Sequence, residues 1–158
     1  MQKITLGRPL KSGDMNTFVN RPDMKVVIDC NVLVMCLASR SSYHIIYKAL
    51  TQEKFQLVIS PDILLEYEEV LQRKYNVTTA NTFIALLKEL PNVQFYTPFY
   101  NWRLINADPD DDKYTDCAIA GSANFIVTED KHFAILKKIA FPKITVLSID
   151  EFVHLITS

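Results

Sequence analysis

Five acids stand where strand and helix signals change over, and their side chains suit metal-assisted hydrolysis. Asp29 closes an apolar, β-branched run, Lys25-Val-Val-Ile-Asp29. Glu66 lies a turn and a half into a helix that follows a second such run. Asp112 and Asp116 open a further helix at i and i+4, so they share a face. Asp130 comes two residues after a short strand signal, Asn124–Thr128. Taken singly, each acid serves equally well as a helix cap or a solvated turn. Taken together they imply a cation, because clustered carboxylates repel and cost stability unless one offsets them. Mg²⁺ and Mn²⁺ are hard ions that take such oxygen ligands. An ion held this way activates water and steadies charge on a phosphodiester. Competing chemistries lack their parts. No Ser-His-Asp or Cys-His arrangement is evident, and His44, His132 and His154 fall on helical segments that read as surface or boundary positions. Three glycines cannot write a Gly-rich nucleotide cradle. Aspartyl-phosphate transfer wants a second Asp two residues after Asp29, where Asn31 stands.

Alternating strands and helices must position these residues. Strands are expected at Lys25–Asp29, Phe55–Ser60, Val93–Tyr96, Asn124–Thr128 and Ile144–Leu147. Helices are expected at Val32–Ser39, Tyr43–Leu50, Pro61–Tyr75, Thr78–Leu90, Lys113–Ala123, His132–Ile139 and Ile149–Ile156. Ser60 is a good N-cap with Pro61 at the first helical position. Ile63, Leu64, Tyr67, Val70 and Leu71 then recur on one face. This alternation predicts an α/β fold with a parallel sheet of four to five strands, covered on both faces. Ligands of such sheets lie beyond the carboxyl ends of the strands, near the switch in strand order. The acids fall at that edge.

Composition bounds the function. The chain has 158 residues, 49% of them hydrophobic, enough for a single core. Its net charge is −1, and beyond residue 23 the balance is 13 basic against 16 acidic side chains. Any hold on nucleic acid must therefore be local. No apolar stretch reaches membrane-spanning length, and the start shows no secretory signal. Cys30, Cys36 and Cys117 form no C-x-x-C pair and read as reduced, buried thiols of a cytoplasmic protein. Residues 1–23, with two of the three glycines and two prolines, read as a loosely ordered extension; residues 24–158 read as the domain.

Four segments carry a resemblance. Val27-Ile-Asp-Cys-Asn-Val-Leu-Val34, Ser60-Pro-Asp-Ile-Leu-Leu-Glu-Tyr67, Asp108-Pro-Asp-Asp-Asp-Lys-Tyr-Thr-Asp-Cys-Ala-Ile-Ala-Gly121 and Ile126-Val-Thr-Glu-Asp-Lys-His-Phe133 resemble, in order and spacing, the four motifs of PIN-domain nucleases. The nearest subgroup is the VapC-like toxin components of toxin–antitoxin systems. The resemblance spans about residues 24–156. It implies a PIN-like α/β/α sandwich and a Mg²⁺- or Mn²⁺-dependent endoribonuclease, the toxin of a type II toxin–antitoxin pair. Its partners would be RNA and a small antitoxin protein, with a second copy of the chain as a further candidate. Carried over by position, the metal-binding acids are Asp29, Glu66, Asp112 and Asp130. Asp116 is a rival to Asp112 or its supplement, and residues 111, 112 and 116 all offer a carboxylate there. Asn31 and Thr128 match polar positions that support the first acid; each also serves as a plain cap or strand end. The other class of function is a non-catalytic RNA- or protein-binding module of the same fold, against which the full acid set argues.

Two further features bear on substrate. Arg40, Lys48 and Lys54 follow the first strand; Lys131, His132, Lys137, Lys138 and Lys143 follow the fourth, so both groups are candidates to hold phosphates. Tyr43, Tyr47, Tyr96, Phe99, Tyr100 and Trp102 offer stacking faces or, for the aromatic run 95–102, a packing or docking surface.

Overall fold

The computed structural model describes residues 18–105 and 108–158. Five strands form the sheet: β1 (Lys25–Ile28), β2 (Gln56–Ile59), β3 (Val93–Phe95), β4 (Phe125–Val127) and β5 (Thr145–Leu147). Six helices connect and cover them: α1 (Cys30–Leu37), α2 (His44–Thr51), α3 (Pro61–Lys74), α4 (Val77–Glu89), α5 (Asp112–Ala120) and α6 (Ile149–Thr157). A 3₁₀ turn, Pro109–Asp111, precedes α5, and a 3₁₀ helix, Lys131–Lys138, follows β4. The strand order is β3-β2-β1-β4-β5 and every pairing is parallel.

The apolar strands explain the layers. Side chains of Val26 and Val27 point to opposite faces, and both are fully buried. So are Leu57, Val58 and Ile59 on β2. Helices therefore cover both faces, as an all-parallel sheet requires. Phe55 meets Phe152 of α6 edge-on at 5.2 Å, closing the core at one end.

Local signals set the helix starts. Ser60 Oγ accepts the Ile63 N–H at 3.3 Å with Pro61 in the first turn, which fixes α3. Asn76 Oδ1 accepts the Thr79 N–H at 2.7 Å, so α4 begins one residue before Thr78. The helix expected after β4 is 3₁₀. Its buried residues Phe133 and Leu136 are three apart, the spacing that eclipses side chains at three residues per turn.

Most of the segment 1–23 lies outside the described residues. Its last six residues run along the domain: Phe18 is buried, Val19 N–H donates to Ile156 C=O at 2.9 Å, and Arg21 N–H donates to Lys54 C=O at 3.1 Å. Among the described residues, no helix is long and apolar enough to cross a membrane.

Candidate metal centre

The order β3-β2-β1-β4-β5 places the connection reversal between β1 and β4, and the acids gather beyond the carboxyl ends of those two strands. Asp29 follows β1 directly and is buried; its N–H donates to Val127 C=O at 3.0 Å, continuing the ladder by one residue. Thr128, the residue after β4, is buried and donates its hydroxyl to Asp29 Oδ2 at 2.7 Å. Thr128 Oγ1 in turn accepts the Asp130 N–H at 3.0 Å. One hydroxyl thus orders two acids from two strands. Asp130 also caps the 3₁₀ helix, its Oδ1 accepting the His132 N–H at 2.9 Å. Burial pushes the Asp29 carboxyl up, while the Thr128 hydroxyl and the Asn31 amide favour its charge. Asn31 itself is exposed in the first turn of α1.

Glu66 arrives from α3. A carboxylate oxygen of Asp29, one of Glu66 and Cys30 Sγ all lie within 4.8 Å of one another. Glu66 Oε1 accepts the Tyr114 hydroxyl of α5, and Oε2 pairs with the Lys113 ammonium. Burial works against charge on Glu66, but Lys113 and Tyr114 outweigh it and hold the carboxyl below its usual value. Burial pushes the Cys30 thiol up to about 12, so it stays protonated beside its carboxylate neighbours. Cys30, Cys36 and Cys117 are all free and buried.

Of the acids at the start of α5, Asp111 is the one on which the charges of Asp130 and Asp29 act. Asp112 Oδ1 accepts the Ile105 N–H at 2.9 Å, and Asp116 Oδ1 accepts the Trp102 N–H at 2.9 Å. Their shared face anchors the 102–105 loop. Asp111 ends the preceding 3₁₀ turn, and ligand atoms of Asp108, Asp111 and His132 lie within 4.8 Å of one another. Burial, then Asp108, Asp130 and Asp29, push the Asp111 carboxyl up to about 6. His132 Nδ1 stands 3.4 Å from Asp130 Oδ1 and 3.5 Å from Asp111 Oδ2.

Among the residues the sequence left unmarked, Tyr114 and Lys113 touch Glu66 directly. A tyrosine on a helix reads as core, and its hydroxyl contact is invisible without the fold. The histidine expectation holds for exposed His132 and His154 but not for His44, which is buried with Nδ1 2.9 Å from Cys36 C=O. Two of the candidate phosphate-holding cations lie elsewhere: Lys54 and Lys143 precede β2 and β5, at the amino edge of a parallel sheet. Lys131 and His132 follow β4 at the acidic edge and are exposed. In the aromatic loop, Phe99 is wholly exposed and Tyr100 largely so. Tyr100 and Phe141 meet Trp102 edge-on at 4.9 and 6.3 Å.

The donor set suits a hard divalent ion. Asp29, Glu66, Asp111 and Asp130 offer carboxylate oxygens from four segments. Asp111 Oδ2 is buried with no hydrogen-bond partner among the described residues. His132 Nδ1, 3.5 Å away, is too distant for a full hydrogen bond to it, and a cation would satisfy that oxygen better.

A sequence model of the PIN domain matches residues 25–132. No curated protein matches the chain. Among solved structures, a chain of VapBC2 from Rickettsia felis, bound to a DNA fragment from its promoter, superposes with a TM-score of 0.56 at 16% identity, covering 79% of this chain and 98% of that one. A chain of VapBC-1 from nontypeable Haemophilus influenzae gives 0.52 at 18% identity, covering 80% and 99%. A chain of DNA-bound VapBC from Salmonella typhimurium gives 0.52 at 12% identity, covering 80% and 98%. At these identities the shared property is the fold. With well over half its length matched and its acids at the expected sheet edge, the chain belongs to the PIN-domain family, whose members are generally nucleases.

Proposed function

We propose that this protein is a Mg²⁺- or Mn²⁺-dependent endoribonuclease, with Asp29, Glu66, Asp111 and Asp130 as the acids that hold the ion. The observation that carries this is the meeting of carboxylates from four chain segments at one sheet edge: Asp29 and Glu66 oxygens lie within 4.8 Å of each other, and the charges of Asp29 and Asp130 act on Asp111. A bound divalent ion lowers the pKa of an attacking water and offsets charge on the phosphodiester. The chain's own residues do the rest. Thr128 keeps Asp29 and Asp130 in fixed relation. Lys113 brings a cation to the rim of the centre, and Lys131 and His132 add exposed basic groups for the RNA backbone. Asp112 and Asp116 steady the neighbouring loop.

The biological role follows as a second step of the same reading. The protein is the toxin of a type II toxin–antitoxin pair, acting in the cytoplasm. Its fold matches chains from VapBC assemblies over 79–80% of its own length, and its free, buried cysteines suit a reducing compartment. A small antitoxin protein is the partner, and the exposed rings Phe99, Tyr100 and Phe141 offer an apolar surface for it or for a second copy of the chain.

The test is cleavage of single-stranded RNA by purified protein. Activity is expected with Mn²⁺ or Mg²⁺, lost in EDTA, and lost in folded Asp29→Asn. Cleavage indifferent to both treatments rejects the reading. Growth arrest on expression, relieved by the product of the adjoining gene, checks the toxin role.

A further inference from the structure

The Tyr114 hydroxyl sits at the one point where three elements of the centre meet. It accepts the Cys30 N–H at 3.1 Å, and it donates to Glu66 Oε1. Cys30 is the first residue of α1, so its N–H has no partner within the helix and needs one from outside. The residue before it is Asp29. Tyr114 lies one turn past Asp111 on the same chain segment, and it is 1% exposed. Its ring meets Phe133 edge-on at 6.2 Å, so the aromatic body is fixed from the side of the chain that follows β4.

We propose that Tyr114 is a positioning residue for the metal centre: its hydroxyl, spanning Cys30 N and Glu66 Oε1, fixes the Glu66 carboxylate against Asp29. This rests on the metal-centre reading above. The physical need is clear. Glu66 is a long, flexible side chain on α3, whereas Asp29 is short and buried at a strand end. Left alone, Glu66 has several rotamers within reach of solvent. Lys113 restrains Oε2 from the rim, but Lys113 is itself a flexible, partly exposed side chain. Tyr114 is the rigid restraint, because its ring is buried and its hydroxyl is held by main chain. A carboxylate oxygen has two lone pairs, so accepting the tyrosine proton leaves the second free for an ion. Tyr114 therefore orients the ligand without blocking it. Groups that orient ligands in this way are worth about ten- to a hundredfold in metal affinity.

Titration calorimetry with Mn²⁺ alone tests this on the full chain, alongside thermal melting in EDTA. Tyr114→Phe keeps the ring and deletes the hydroxyl. It is expected to weaken Mn²⁺ binding by about ten- to a hundredfold. Tyr75→Phe is the comparison, since it deletes a hydroxyl that bonds Val34 C=O away from the acids. It is expected to leave Mn²⁺ affinity within about twofold while also lowering Tm. A double variant, Glu66→Gln with Tyr114→Phe, is expected to bind no more weakly than Glu66→Gln alone, because the hydroxyl acts only through that carboxylate. Unchanged affinity in Tyr114→Phe, an equal loss in Tyr75→Phe, or additive losses in the double variant each overturn the positioning role. Wild-type protein that takes up no Mn²⁺ rejects the metal-centre reading itself, a result distinct from those three.

Discussion

Asp111 is the residue on which the acidic edge is most exposed to test. Its carboxyl holds a proton to about 6 in the fold, against 3.8 ordinarily, because burial and the charges of Asp108, Asp130 and Asp29 disfavour ionisation. The native state therefore binds that proton more tightly than the unfolded chain. The stabilisation is complete below about 3.8 and is lost as pH rises through about 6. In metal-free buffer, Asp111→Asn is expected to be more stable than wild type above pH 6 by about 1–2 kcal/mol, with no difference near pH 4. Denaturant melts at the two pH values measure this. Asp112→Asn serves as the companion, since its carboxylate bonds the Ile105 amide. It is expected to weaken Mn²⁺ binding far less than Asp111→Asn, and calorimetry decides between them. Thr128→Val removes the one hydroxyl that serves both Asp29 and Asp130. A loss of about 1–3 kcal/mol in stability is expected, since a buried amide and a buried carboxylate each lose a partner.

At the scale of elements, much was legible. Ser60 with Pro61 announces α3, Pro91 marks the end of α4, and the β-branched runs announce the strands within a residue or two. These signals are local, so sequence carries them. Residue types left open which acid at the start of α5 serves the centre, for a geometric reason. Asp110, Asp111 and Asp112 are consecutive, and a 3₁₀ turn advances about 120° per residue where an α-helix advances about 100°. Which carboxylate faces the centre depends on where one winding gives way to the other, and residue types alone do not fix that point. Tyr114 escaped notice because its partners, Cys30 and Glu66, are 84 and 48 residues away. The seat of α5 on the sheet makes its own prediction. A Cβ added at Gly121 would come within 2.5 Å of Val58 Cγ1 and 2.9 Å of Tyr96 Cδ2. The backbone there is ordinary, with φ of −91°, so the constraint is space alone. Gly121→Ala is expected to lose about 1–3 kcal/mol through overpacking, readable as a fall in Tm.

For the molecule as a whole, the proposed centre implies that ion uptake is coupled to folding. An ion that binds only the native state adds about 2.7 kcal/mol of stability at a hundred times its Kd. Wild-type Tm is therefore expected to climb with Mn²⁺, and Asp29→Asn to show little of that climb. The near-neutral net charge means this effect is local and is not a general salt response. The last consequence lies far from the acids. Val19 and Ile156 share a main-chain hydrogen bond of 2.9 Å, so the segment leading into β1 and the final helix lie side by side. A short glycine-rich bridge can join those two points, and the exposed loop around Phe99 can be opened in exchange. The circularly permuted protein that results is expected to keep its strand pairings and its acids in place, which a cooperative thermal melt checks.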